Sequence, residues 1–192
     1  MKKQNKDARM AEIEATAYAL LAEQGYENIS MLKIAKAAKA SNETLYNWYG
    51  DKKGLFAAMI RKNASQTLAE IEQAISRDEK PDETLRRAAH TLLTMLMSDN
   101  AIALNRAAAA DPTGELGKVL NTEGRETVAP KFLPLLTEVV GQSQAQGGLQ
   151  IFLSVLIGDW QIRRVIGVMD QPAPSEIDVR VEDAMTILEQ LA

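Results

Sequence analysis

The sequence predicts an all-α fold, and three observations predict it. Leu and Ala dominate the 192 residues, while aromatic residues make up only 5%. Runs of β-branched residues are few, so little of the chain has the character of a pleated strand. Apolar residues recur instead at i, i+3, i+4 and i+7, the spacing of one face of a helix. The length accommodates one large domain or two small ones on a shared core.

The elements follow in order. The first helix reads from Arg9 to Gln24, with Ile13, Ala17, Leu20 and Leu21 on one face and Gly25 where helices end in a left-handed residue. Tyr26 and Ile29 anchor a short loop. Ser30 is a good N-cap for a short second helix, Met31 to Ala38, which buries Ile34, Ala35 and Ala38 and turns Lys33, Lys36 and Lys39 outward. After Lys39-Ala40, Ser41 caps a third helix, Asn42 to Tyr49, with Leu45 inward, Trp48 or Tyr49 completing the anchor, and Gly50 at its end. Asp51 caps a long fourth helix to about Ser76, striped by Leu55, Phe56, Met59, Ile60, Leu68, Ile71 and Ile75.

A fifth helix reads over 82–99 and an Ala-rich sixth over 101–110, ended by Asp111-Pro112-Thr113-Gly114. A seventh runs to about Val140, with Pro130 and Pro134 as kink or boundary points. Gly141 to Gly148, GQSQAQGG, is the most linker-like stretch. Residues 149–169 are apolar on nearly every face, which predicts burial on every side, against the core and against a second copy of the chain. Pro172 and Pro174 mark a turn, and Ser175 with Asp178 gives a capping-box-like start to the last helix, which carries Ile177, Val181, Ala184, Met185 and Leu188. The expectation is about nine helices.

Composition excludes several kinds of chemistry. There is no cysteine, so disulfide frameworks, thiol catalysis and zinc-thiolate sites are ruled out. His90 is the single histidine, so no His-pair metal site can form. One histidine, no Walker loop and no Gly-rich dinucleotide turn leave little for catalysis, and the expectation is a non-enzyme without metal or cofactor. No apolar run approaches the ~20 residues of a membrane span, and no apolar segment of a secretory signal follows Met-Lys-Lys-Gln-Asn-Lys-Asp. A cytoplasmic protein with no membrane partner is expected. The net charge of −4 is unevenly spread: residues 1–62 carry 11 Lys and Arg against 7 Asp and Glu, and the remainder is acidic. One anionic partner at the N-terminal end would account for that asymmetry.

Two short helices joined by a tight turn and braced by a longer helix on each side make a helix-turn-helix. Its second helix must project polar side chains into a major groove while its neighbours hold it rigid and touch phosphate. Here Asn42, Glu43, Thr44, Tyr46 and Asn47 are the polar set, ringed by Lys36, Lys39, Lys52 and Lys53. Ser30 to Leu55, SMLKIAKAAKASNETLYNWYGDKKGL, resembles the DNA-binding domain of TetR-type transcriptional regulators. The resemblance is carried by Ser30, Ile34-Ala35, Ala38, Ser41, Leu45-Tyr46, Trp48-Tyr49, Asp51, Lys52 and Leu55, and upstream by ALLAEQGYENIS, Ala19 to Ser30. It departs from the family's pattern at Lys39-Ala40, where the turn usually has Gly-Val, at Asn42-Glu43 and at Trp48-Tyr49.

The resemblance implies a helix-turn-helix domain at 1–50 and a helical effector-binding and dimerisation domain at 51–192. The partners it implies are a double-stranded DNA operator of pseudo-palindromic sequence, a second copy of the chain paired through the last two helices, and a small-molecule effector. It also implies phosphate contacts at Ser30, Tyr46 and Lys52, beside the basic Lys36 and Lys39. Base reading falls to Asn42, Glu43, Thr44 and Asn47: Asn pairs with adenine, Glu accepts from cytosine N4, and the Thr methyl meets a thymine methyl. Lys39 is a possible ion-pair partner for Glu43. The N-terminal Lys2, Lys3, Lys6 and Arg9 are either disordered or reach along the DNA. ALNRAAAA (Ala103 to Ala110) and FLSVLIGDWQIRRVIGV (Phe152 to Val168) resemble the AefR-like subgroup of C-terminal domains. Candidate effector contacts are His90, Met95, Asn105, Arg106, Phe132, Phe152, Leu156 and Trp160, together with Leu92 and Leu96, a lining suited to an apolar or amphipathic ligand. The rival expectation is a helical ligand-binding or adaptor protein whose helix-turn-helix no longer reads DNA, motivated by Glu43 and the acidic overall charge.

Overall fold

The structure, a computed structural model, describes residues 2–77 and 79–190; the side chains of Lys2, Lys3 and Ile75, three positions named above, lie outside the described ones. Among the described residues every regular element is helical. They are α1 (Lys2–Gln24), a 3-10 turn (Tyr26–Asn28), α2 (Met31–Ala37), α3 (Asn42–Tyr49), α4 (Lys52–Ser76), α5 (Pro81–Leu96), α6 (Asp99–Ala110), α7 (Glu115–Leu120), a π-helical turn (Asn121–Arg125), α8 (Glu126–Val140), α9 (Gln142–Ile157), α10 (Trp160–Val165) and α11 (Pro174–Glu189).

The predicted caps form. Ser30 Oγ accepts from Lys33 N at 3.2 Å and Ser41 Oγ from Thr44 N at 3.0 Å, so each short helix has one of its unpaired first-turn amides satisfied. Asp51 does the same for α4, accepting from Gly54 N at 2.7 Å. Ile13, Ala17, Ile34, Ala35, Leu45, Leu55, Phe56 and Ile60 then close one hydrophobic cluster, to which α6 and α7 add Leu104, Ala107 and Leu116. Full burial of each large aliphatic side chain is worth roughly 1.5–3 kcal/mol, and that offsets the low intrinsic stability of helices as short as α2 and α3. A second cluster joins α4, α5, α8, α9 and α11 through Ile71, Leu85, Leu93, Phe132, Leu136, Phe152, Leu156, Met185 and Leu188.

Several local expectations are corrected. α1 begins at Lys2, so residues 2–9 are helix and not a tail. α8 runs through both Pro130 and Pro134, because Val128, Phe132, Leu135 and Leu136 bury one face and outweigh the two missing N–H bonds; a π-helical turn, Asn121–Arg125, precedes it. The linker-like stretch 141–148 is helical from Gln142 onward: Gly148 is buried, and a Cβ there would stand 3.3 Å from Leu188 Cδ1, so the glycine serves close packing against α11. The apolar run 149–169 is interrupted at Gly158, and Ile162, Ile166 and Val168 beyond it are exposed in the single chain. The last helix starts two residues earlier than read. Glu176 accepts from Ala173 N at 2.7 Å, one half of a capping box for which Ala173 has no side-chain oxygen to supply the other half.

Candidate nucleic-acid interface

α3 is held from behind. Leu45 is fully buried and Tyr49 nearly so, with the Tyr49 hydroxyl donating to Glu14 Oε1 of α1 at 3.3 Å. Burial pushes the Glu14 carboxyl above its ordinary range, against the opposing pull of the Tyr49 hydroxyl and the Lys62 charge. It pushes the Tyr49 phenol up as well, with the neighbouring Glu14 adding to the effect. Behind α3, Gly50 ends the helix at φ 77°, and Gly54 lets the first turn of α4 press against it, since a Cβ at Gly54 would lie 1.9 Å from Tyr49 O. Sequence reasoning passed over Gly54, whose only signal was a glycine inside an otherwise helical first turn.

With its root fixed, α3 presents Asn42, Glu43, Tyr46 and Asn47 to solvent, Tyr46 being 50% exposed. Thr44 is half-buried and its hydroxyl lies 2.7 Å from Ser41 Oγ. Glu43 forms no ion pair among the described residues, with Lys39 or any other. Trp48 packs half-buried against the head core, and Lys6 of α1 sits over its ring, 5.4 Å from the centroid.

The basic flank divides into outward and inward lysines. Ser30, Lys36 and Lys39 are exposed, and the Ser30 hydroxyl, accepting from Lys33 N, keeps its own hydrogen to donate. Lys52 is turned inward: its Nζ donates to Tyr26 O at 2.9 Å and to Ile29 O at 3.2 Å and lies 4.0 Å from the Tyr26 ring centroid. It straps the loop between α1 and α2 onto α4, and one N–H remains for an outside acceptor.

The effector candidates fall into two groups. Phe132, Phe152 and Leu156 are fully buried in the second cluster, with Met95 and Trp160 packed half-buried at its edge. The two phenyl rings are tilted at 41° with centroids 6.3 Å apart. His90, Asn105 and Arg106 are engaged elsewhere. His90 Nε2 is 3.3 Å from Asp178 Oδ1 of α11, and Asn105 Nδ2 donates to Ala101 O at 2.9 Å. Arg106 donates to Val165 O at 2.8 Å and Arg164 O at 2.9 Å, covering the last carbonyls of α10. Arg164, missed by sequence reasoning, returns the contact: buried, it donates to Met97 O at 3.2 Å and to Asp99 Oδ1 at 2.6 Å, fastening α10 to the corner between α5 and α6.

No described helix is long and apolar enough to cross a membrane, and no cluster of metal-ligating side chains occurs among the described residues. Residues 13–59 match the family model of bacterial regulatory proteins of the tetR family. A Mesorhizobium loti chain assigned to the TetR family of transcriptional regulators has the same fold, with a TM-score of 0.75 at 20% identity over 96% of each chain. A TetR transcriptional regulator from Agrobacterium tumefaciens gives 0.73 at 26% identity, over 95% of this chain and 93% of that one. FadR from Bacillus subtilis, solved in complex with stearoyl-CoA, gives 0.72 at 15% identity, over 95% and 98%. No curated protein matches the sequence. The chain thus carries a helix-turn-helix that the tetR family model matches over residues 13–59, on the all-helical fold of solved TetR-family regulators.

Proposed function

We propose that the protein is a repressor that binds a pseudo-palindromic operator as a homodimer and is released by a small apolar or amphipathic effector. The observation that carries the reading is the division of α3. Leu45 and Tyr49 root it in the head, while Asn42, Glu43, Tyr46 and Asn47 stand exposed along one edge beside Ser30, Lys36 and Lys39. Asn42, Glu43, the Thr44 methyl and Asn47 read bases; Ser30, Lys36, Lys39 and Tyr46 take phosphates, and Lys52 contributes its one remaining N–H.

The exposed Ile162, Ile166 and Val168 of the α10 segment and Val179 of α11 support the dimer, since pairing this face about a two-fold axis would cover them. A two-fold also sets two copies of α3 on half-sites ~34–36 Å apart. The effector class rests on the aromatic and aliphatic character of Phe132, Phe152, Leu156 and Trp160, and on the likeness to FadR, a protein solved with stearoyl-CoA. A cytoplasmic location and a role other than catalysis go with this reading. Tyr46→Phe should weaken binding to a selected duplex and to unrelated duplexes alike. Asn42→Ala should relax preference at one base position, by about 1–3 kcal/mol. Unchanged affinity and preference in Asn42→Ala would remove α3 from the reading role.

A further inference from the structure

We propose that Arg9 is the positioning residue of the reading head: it clamps the left-handed turn between α2 and α3 and so sets where α3 points. The inference rests on the DNA-binding reading above. The turn passes through Lys39 at φ 51°, the one non-glycine residue with positive φ among the described residues. A side chain there crowds the following carbonyl, whereas glycine adopts the conformation freely. The turn therefore needs support from outside.

Arg9 supplies it from α1, about thirty positions away in the chain. Its Nη2 donates to Ala38 O at 2.8 Å and to Lys39 O at 2.7 Å, carbonyls that the end of α2 leaves without helical partners. Its Nη1 is paired with Glu12, one turn further along α1, which fixes the plane of the guanidinium. The positive charge also faces the negative end of the α2 dipole. Lys6, one turn earlier on α1, holds the Trp48 ring. The first turns of α1 thus grip the recognition helix at both ends: ahead of its start through Arg9, and near its finish through Lys6. Ser41, the cap of α3, lies two residues beyond Lys39. Any shift of the turn displaces Ser41, and with it Asn42 and Glu43, the first side chains to meet a base. Three of the five guanidinium N–H donors are thus spent, two on the turn and one on Glu12, which assigns Arg9 a role through α3.

The test uses full-length protein carrying Arg9→Met, Lys39→Gly, or both. The probes are a duplex selected from a random library by the unaltered protein and a scrambled duplex of equal length. Arg9→Met should lower affinity for the selected duplex about tenfold, the scale of one charge-assisted hydrogen-bond pair. Affinity for the scrambled duplex and the salt slope should stay unchanged. In the Lys39→Gly background the same Arg9→Met change should cost little, because glycine holds the turn unaided. Two results would overturn the proposal: an equal loss on both duplexes with the salt slope reduced by about one, which is a phosphate contact, or the same loss in both backgrounds. Amide exchange of residues 38–46 without DNA separates the two readings. Faster exchange in Arg9→Met, suppressed by Lys39→Gly, upholds the clamp even if neither duplex binds, in which case the DNA-binding reading fails alone. Unchanged exchange and unchanged preference, in a protein that does bind the selected duplex, defeat the clamp alone.

Discussion

Gly158 separates two accounts of the C-terminal helices. It sits between α9 and α10 at φ 50°, ψ −135°, a conformation that a residue with a Cβ rarely adopts. A Cβ built there would lie 1.8 Å from Nη2 of Arg180. That guanidinium rests 5.1 Å from the Trp160 ring centroid, and its Nε donates to Leu156 O at 3.3 Å. Gly158→Ala therefore costs backbone strain of about 1–3 kcal/mol and displaces Arg180. Losing the charged hydrogen bond costs about 1.5–3 kcal/mol, less what the guanidinium regains from water, and the cation–π contact about 0.5–1 kcal/mol. The net loss is on the order of 3–5 kcal/mol, which for a chain of this length lowers Tm by about 6–20 °C. A continuous helix over 149–169 predicts the opposite sign, since an Ala for Gly exchange inside a helix stabilises by about 0.5–1 kcal/mol. Thermal and urea unfolding followed by far-ultraviolet circular dichroism, at fixed protein concentration, decides between them. Gly147→Ala serves as the internal standard: its Cβ meets nothing within 4 Å, so it should stabilise by about 0.5–1 kcal/mol. A Gly158→Ala protein as stable as Gly147→Ala would refute the break and the role of Arg180.

Three further predictions follow from the head and the exposed apolar face. Glu14 has a raised pKa through burial, so the folded protein binds its proton more tightly than the unfolded chain does. Its stabilising effect is full below the ordinary carboxylate pKa and is lost as pH rises through the raised native value. Glu14→Gln should abolish that decline and be the more stable protein above the window, as read from urea midpoints on either side of it; parallel profiles would contradict this. Lys52→Met should lower stability in the absence of DNA by about 1–3 kcal/mol, because the Tyr26 and Ile29 carbonyls lose their donor. A lysine that served phosphate alone would leave unfolding unchanged. Ile166→Asp, placed on a side chain 62% exposed in the single chain, should leave the fold intact and shift sedimentation from dimer to monomer; an unshifted dimer would move the interface away from α10.

The head was legible because its signals are local. Ser30 and Ser41 cap within three residues, Gly50 terminates α3, and Ile34, Ala35 and Leu45 fall on short faces with a single possible neighbour. What escaped the sequence was long-range. Arg9 reads as one basic residue in a basic segment; only the folded chain brings it to Ala38 O and Lys39 O. Lys52 reads as a surface cation at a helix start, and only the fold places the carbonyls of Tyr26 and Ile29 around it. Glycine and proline misled in the C-terminal half for the same reason. Gly148 is spaced like a linker residue but serves close packing against Leu188, and Pro130 and Pro134 are carried inside α8 by the burial of Phe132 and Leu136. Gly158, unremarkable in an apolar run, ends α9 at φ 50°, and Arg180, 22 positions later, occupies the space a Cβ would take. The aromatic members of the effector set were legible as core, whereas the partners of His90 and Arg106 were not: each bonds a group that its own sequence neighbourhood does not single out.

The most direct measurement is selection of genomic fragments by the purified full-length protein at two salt concentrations, followed by sequencing of what is retained. The account predicts recovery of an inverted repeat with half-sites about one helical turn or a multiple apart, bound less tightly as salt rises because the exposed lysines release condensed counterions. Recovery of unselected sequence alone, or of fragments whose retention ignores salt, would contradict a reading head at α3 and leave a helical ligand-binding protein in its place.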